Sequence, residues 1–159
     1  MKHLPKHLRP RWRYLAVELE AWPDADVSRG AFQRALWYAA GNLLGDPGSA
    51  DADLRVFSFS FDDGTGEAIV RARRGHVSEA RAALACVSEV DGEAVRVAVR
   101  GVSGTVRAAE ENYLGRASLS TGEEEVVFRN ATRRAVARDG RIDIDVEGAY
   151  VGATRSDLD

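Results

Sequence analysis

The chain has 159 residues, a formal net charge of −3, 45% hydrophobic residues and one cysteine. That length gives one domain, or one domain with an extension, and a core that needs no metal or disulfide to fold. Cys86 alone excludes an internal disulfide framework and a thiolate zinc cluster, and no apolar run is long enough to span a bilayer.

The charge is uneven. Residues 1–116 carry 16 Lys+Arg against 16 Asp+Glu, and residues 117–159 carry 6 against 9. The first 13 residues hold five cations (Lys2, Lys6, Arg9, Arg11 and Arg13) and no acid. This arm lacks the apolar stretch of a secretory signal, and with a single cysteine it gives a cytoplasmic expectation. Of the 22 cations, 20 are Arg. GC-rich codon usage is the main explanation, but the planar forks remain available to phosphate.

In residues 12–20, Leu15, Val17 and Leu19 alternate with Trp12, Tyr14, Ala16 and Glu18, which predicts a strand. After a turn at Pro23–Asp26, Ser28 is placed to cap a helix. Phe32, Ala35, Leu36, Ala39 and Leu43 recur along it at helical spacing, and Gly45 is placed to end it. Residues 48–53 read as a polar, flexible loop. Residues 54–61 and 66–74 read as two strands joined by Asp62-Asp63-Gly64. In the second, Ala68, Val70 and Ala72 share one face and Ile69, Arg71 and Arg73 the other. Residues 76–90 predict a helix with Val77, Ala80, Leu84 and Val87 on one stripe. A fourth strand covers 94–100. Ser103 is placed to cap a third helix, with Val106, Ala109 and Tyr113 inward and Gly115 as its stop.

The order β-α-β-β-α-β-α makes the chain α+β, with a ferredoxin-like, RNA-recognition-motif-like pattern and one added helix. The organisation is a basic arm (1–12), this domain (13–116) and an acidic extension (117–159), read as a hairpin or a partly disordered tail. One sheet face is expected to carry Tyr14, Arg71, Arg73, Arg96 and Arg100. Strand 54–61 is apolar on both sides, with Leu54 and Val56 opposite Phe57, Phe59 and Phe61. That calls for a second cover, which the third helix can supply.

Catalytic chemistry is thin. His3 and His7 lie in the arm and only His76 is well placed, so no nucleophilic triad converges. Asp143, Asp145 and Glu147 alternate on one strand face; a solvated acidic edge explains them better than a cation site. Gly64-x-Gly66 is a turn, Cys86 is a small packed residue, and Trp37 and Tyr38 serve either core packing or a partner interface. RNA-recognition motifs stack bases on strand aromatics; here only Tyr14 is placed for that, so phosphate and shape suit this surface better than base reading.

Three segments together resemble the ribonuclease P protein component 2 family of archaea and eukaryotes. They are Leu8-Arg-Pro-Arg-Trp-Arg-Tyr-Leu-Ala-Val-Glu, then Gly66-Glu-Ala-Ile-Val-Arg-Ala-Arg-Arg with the Ala-Arg-Ala-Ala-Leu-Ala before Cys86, and Val99-Arg-Gly-Val-Ser-Gly-Thr-Val-Arg-Ala-Ala-Glu-Glu-Asn-Tyr-Leu. The resemblance covers residues 8–116. It implies a subunit that supports the catalytic RNA in removing the 5′ leader of precursor tRNA, with no catalytic side chain and no cofactor of its own, Mg²⁺ being held by the RNA. It also implies pairing with component 3, a barrel-shaped subunit, and assembly with other ribonuclease P subunits.

On this reading two zones meet RNA. One is the arm, with Lys2, Lys6, Arg9, Arg11 and Arg13, leading to Tyr14. The other is Arg71, Arg73 and Arg74 with Ser103, Gly104, Thr105 and Arg107. Trp37 and Tyr38 face a protein partner. Two alternatives stay open at this point: an ACT-like regulatory domain binding a small metabolite, and a metal-dependent nuclease using Asp143, Asp145 and Glu147.

Overall fold

A computed structural model describes residue 5 and residues 11–115 and 120–159, the side chains of 120 and 121 excepted. Lys2, Lys6 and Arg9 lie outside the described residues. The chain is mixed α/β, with three α-helices and two antiparallel sheets among the described residues. The first sheet contains β1 (Trp12–Ala21), β2 (Arg55–Asp62), β3 (Thr65–Arg73), β4 (Glu89–Val90) and β5 (Glu93–Ser103), in the order β2-β3-β1-β5-β4. That order is compatible with the ferredoxin-like pattern.

The predicted alternation of β1 holds: Leu15, Val17 and Leu19 enter the main core, together with Ala68, Val70 and Ala72 of β3. Helices α1 (Arg29–Ala52) and α2 (Val77–Ala85) cover this face through Phe32, Leu36, Ala40, Ala80 and Leu84. Ser28 caps α1 as expected, its hydroxyl accepting the Ala31 N–H at 3.1 Å. Gly45, at φ 75° and ψ 167°, breaks the helix where a stop was predicted, because a residue with a Cβ rarely adopts that conformation. The chain then re-enters helix at Asp46-Pro47, since proline is tolerated in a first turn. Residues 48–53 are therefore helical rather than a loop. Ahead of the break the stripe continues from Ala40 to Leu44, four residues on, so Leu44 packs on the core and Leu43 is 47% exposed.

Strand β5 runs further than predicted, because β1 offers it pairing partners as far as Tyr14, opposite Ser103. Ser103 thus ends a strand and does not cap α3 (Val106–Tyr113); Thr105 does, accepting the Ala108 N–H at 3.1 Å. Helix α2 stops at Ala85, and residues 89–90 turn back onto β5 as a short strand. Cys86, at the C-cap of α2, is exposed rather than packed.

Helix α3 lies on the opposite sheet face, packing Ala109, Val106 and Tyr113 against Ala16 and Ile69. It approaches closely because Gly101 leaves room: a Cβ there would stand 2.3 Å from the Tyr113 ring.

Residues 120–153 are not a lone hairpin or a tail. They form a second sheet, β6 (Ser120–Phe128), β7 (Ala131–Arg138), β8 (Arg141–Val146) and β9 (Ala149–Ala153), paired in chain order. Three tight turns join them, with positive φ at Arg129-Asn130, Gly140 and Glu147-Gly148, the backbone that hairpins need. Val126, Phe128, Ala135, Ile142 and Ile144 make a small core of their own.

Candidate nucleic-acid interface

The sheet face opposite α1 and α2 changes character along β1, whose residues 12, 14, 16, 18 and 20 point to it in turn. Ala16 lies under α3. Glu18 and Glu20 are buried at the far end, and Trp12 and Tyr14 are only partly buried at the near end.

The far end is sealed by the second sheet. Arg138 of β7 is wholly buried, and its guanidinium donates to Ala21 O (2.7 Å), Gly64 O (3.2 Å) and Thr65 Oγ1 (3.0 Å) of the first sheet. It lies 3.6 Å from Glu20 and 3.3 Å from Asp143. Arg96 reaches Asp143 at 2.6 Å and Arg141 reaches Glu20 at 2.8 Å. Burial alone raises the Glu20 carboxyl, but the hydrogen bond and charge of Arg141, with Arg138 and Arg96, outweigh it and hold the group below the ordinary glutamate value. Tyr150 donates to Asp143 at 3.0 Å; burial and the nearby Asp143 charge push its hydroxyl up to about 12.

Asp143 is therefore no solvated acidic edge: it is 0% exposed and neutralised by arginines. Asp145 accepts the Gly148 N–H at 2.8 Å, and Glu147 sits in the turn that follows. The three acids of the nuclease alternative do not converge, and no group of three His, Cys or acidic residues among the described residues could hold a metal. Arg96 and Arg100 do share the face with Tyr14, Arg71 and Arg73 as expected. Both are consumed by acids, Arg96 as above and Arg100 by Glu18 at 2.8 Å.

The near end is different. The register lines up Arg55 of β2, Arg71 of β3, Tyr14 of β1 and Ser103 of β5 in one row, with Arg73 and Trp12 in the next. The Arg71 guanidinium stacks over the Trp12 ring, 3.8 Å from its centroid, and Arg73 lies 5.7 Å from it. The Nε atoms of Arg71 and Arg73 are buried without hydrogen-bond partners. Arg73 meets Asp53 only at 3.6 Å. Arg11, Arg13, Arg55, Arg71 and Arg74 form no ion pair among the described residues. The backbone ties the entry segment to this end, the Arg74 N–H donating to Arg11 O at 2.8 Å. Arg13 extends to Gly104, where a Cβ would stand 3.0 Å from its Nη1.

Of the predicted contact residues, the structure thus brings together Arg11, Arg13, Tyr14, Arg71, Arg73, Arg74, Ser103 and Gly104. Thr105 spends its hydroxyl on its own helix, and Arg107, on the exposed side of α3, pairs with Glu111 at 2.8 Å. Sequence reasoning passed over Trp12, Arg55 and Phe57. The strand period placed Trp12 beside Tyr14 and put Arg55 and Phe57 opposite Val56, which was the available signal; what no pattern announced is the bulge in β2 that turns Phe59 and Phe61 into the core and leaves Phe57 alone on the open face.

On α1, Trp37 is 44% and Tyr38 75% exposed, so neither belongs to the core. Trp37 Nε1 donates to Leu54 O at 2.7 Å, which satisfies its polar atom and leaves the ring outward. Residues 35–45 contain no charged side chain, so an uncharged helix surface with two exposed rings and Leu43 faces solvent. Among the described residues, no helix is long and apolar enough to cross a membrane.

Proteins named ribonuclease P protein component 2 are 65% identical in Halorubrum lacusprofundi, over all of both chains, and 58% identical in Haloarcula marismortui, over 99% of each. One from Methanosarcina mazei is 36% identical over 114 residues, 72% of this chain and 93% of that relative. The model of the Rpp14/Pop5 family matches residues 13–114, from the start of β1 to the end of α3, and the chain belongs to that family.

Proposed function

We propose that this chain is an RNA-binding protein subunit of ribonuclease P, built on a ferredoxin-like sheet whose near end holds the phosphate backbone of the catalytic RNA. The observation that carries this reading is the division of the arginines. At the far end Arg96, Arg100, Arg138 and Arg141 all meet carboxylates. At the near end Arg11, Arg13, Arg55, Arg71 and Arg74 meet none among the described residues, and Arg73 meets Asp53 at 3.6 Å. Clustered guanidinium groups repel one another and lose hydration when crowded together; a polyanion relieves both costs. Phosphates on these forks release counterions and hold an RNA conformation that otherwise repels itself.

In this role the chain supplies no catalytic side chain. Leader removal from precursor tRNA is the work of the RNA and its Mg²⁺, in the cytoplasm. The uncharged surface of α1 at Trp37 and Tyr38 takes component 3, and other ribonuclease P subunits complete the particle; aromatics of this kind anchor protein interfaces.

The test is a titration of ribonuclease P RNA against wild type and Arg71→Gln/Arg73→Gln across several salt concentrations. Two lost phosphate contacts flatten the log–log salt slope by about two units and weaken unrelated RNA sequences alike. Equal slopes and affinities, with both proteins folded, remove this sheet end from the RNA surface.

A further inference from the structure

Strand β2 reads Arg-Val-Phe-Ser-Phe-Ser-Phe-Asp. Strict alternation puts Phe57, Phe59 and Phe61 on one face, opposite Val56. In the structure Val56 pairs with Val70 and Ser58 with Ile69, so Phe57 is the extra residue of a β-bulge. The bulge re-phases the strand: Phe59 and Phe61 join Val56 against the main core, while Phe57 alone turns to the other face. There it leans across β3 to Tyr14, ring centroids 5.9 Å apart at 78°, and remains 46% exposed.

This bulge is held from outside the strand. Arg29 at the start of α1 donates to Val56 O at 2.7 Å and to Phe57 O at 3.4 Å, and Gln33 Oε1 accepts the Val56 N–H at 2.6 Å. A strand that slipped free of the bulge would lose all three bonds. The fold therefore leaves an aromatic ring in solvent against Tyr14, in the row beside Arg71, when its neighbours in the strand are used as core, while the Arg55 guanidinium lies 5.9 Å from the Trp37 ring centroid.

Resting on the RNA-binding reading above, we infer that Phe57 is a stacking platform for one unpaired nucleotide of RNA, its base on the free face of the ring and its phosphate on Arg71. The occupant follows from the chemistry around the ring. Tyr14 meets it edge-on, Arg71 lies in the Tyr14 row of the sheet, and Arg71 has no acid partner among the described residues. An apolar protein side chain laid on Phe57 desolvates this guanidinium group and returns no counter-charge. A nucleotide brings a flat π-face and a phosphate together. An unpaired nucleotide is required, because a base within a duplex has both faces already stacked.

The experiment uses the full chain and two labelled probes, an oligoadenylate of about ten nucleotides and an RNA duplex of about 16 base pairs. The proteins are wild type, Phe57→Leu, Phe57→Trp and Arg71→Gln, each checked for folding by circular dichroism. Stacking predicts that Phe57→Leu weakens oligoadenylate binding about tenfold and leaves the duplex within about twofold, while Phe57→Trp keeps oligoadenylate affinity. Arg71→Gln weakens both probes. If Phe57→Leu changes neither probe while Arg71→Gln weakens both, stacking is overturned and phosphate binding stands. Equal weakening of both probes by Phe57→Leu, or a folded Phe57→Trp that binds like Phe57→Leu, assigns the ring a structural role and also overturns stacking. A wild-type protein that binds neither probe overturns the RNA-binding reading with it.

Discussion

Replacing Arg138 by Met tests what joins the two sheets. The Met side chain fills most of the same space but removes the donors to Ala21 O and Gly64 O and the charge facing Glu20 and Asp143. A buried polar group left without its partner costs about 1–3 kcal/mol, and breaking a buried ion pair about 3–5 kcal/mol. The full sum does not apply. Three arginines (Arg96, Arg138, Arg141) face two carboxylates (Glu20, Asp143), so losing one arginine leaves the remaining charges matched. The carbonyl loss then dominates, and the expected destabilisation is about 3–4 kcal/mol. For a chain of this size that lowers Tm by roughly 10 °C. Urea unfolding followed by circular dichroism gives the free energy, and calorimetry gives Tm. Arg138→Lys, which keeps a charge but not the fork, belongs between the two. The reasoning fails if Arg138→Met stays within about 1 kcal/mol of wild type, or if wild type itself unfolds in two separate transitions.

Other outcomes follow from the same geometry. Because the Glu20 carboxyl is held below its ordinary value, its contribution to stability is complete above the unfolded-state pKa of about 4.3 and is lost as pH falls through the lowered folded value. Urea midpoints measured from pH 6 down to 3 should therefore drop less steeply for Glu20→Gln than for wild type, and parallel curves contradict that assignment. Gly101→Val places a side chain where Tyr113 now lies. It should displace α3 and increase protease cleavage near residues 104–115, with the main core still folded; an unchanged digestion pattern means that α3 docks by other contacts. Trp37→Ala should weaken pairing with component 3 about tenfold or more with little change in Tm, since the ring is largely outside the core. A large fall in Tm with unchanged pairing makes Trp37 a packing residue instead.

Much of the first sheet was legible because its signals are local. Leu15, Val17 and Leu19 alternate as a buried strand must, and Ser28 sits where a helix start needs an acceptor. The errors fell where a local signal competed with a tertiary one. Ser103 looks like a cap by chemistry, but β1 extends pairing to it and leaves the capping to Thr105. Asp143 looks like a surface acid by composition, yet the second sheet turns it inward against Arg96 and Arg138. Residues 129–130 carry no glycine, so the first turn of the four-stranded extension gave no usual hairpin signal, although Gly140 and Gly148 mark the other two.

By itself, then, the sequence determined the main run of strands and helices, the core faces of β1 and β3, and the family resemblance, because periodicity and motif spacing are properties of neighbouring residues. It could name the arginines but not sort them, since an arginine's role depends on whether an acid from a distant segment reaches it. Only the tertiary structure decided that Arg96, Arg100, Arg138 and Arg141 are neutralised by Glu18, Glu20 and Asp143 while Arg71, with no acid partner among the described residues, lies on Trp12. It likewise decided that a bulge at Phe57, bonded by Arg29, turns Phe59 and Phe61 into the core and leaves Phe57 alone on the open face, because charge pairing and strand register are fixed by contacts across the fold.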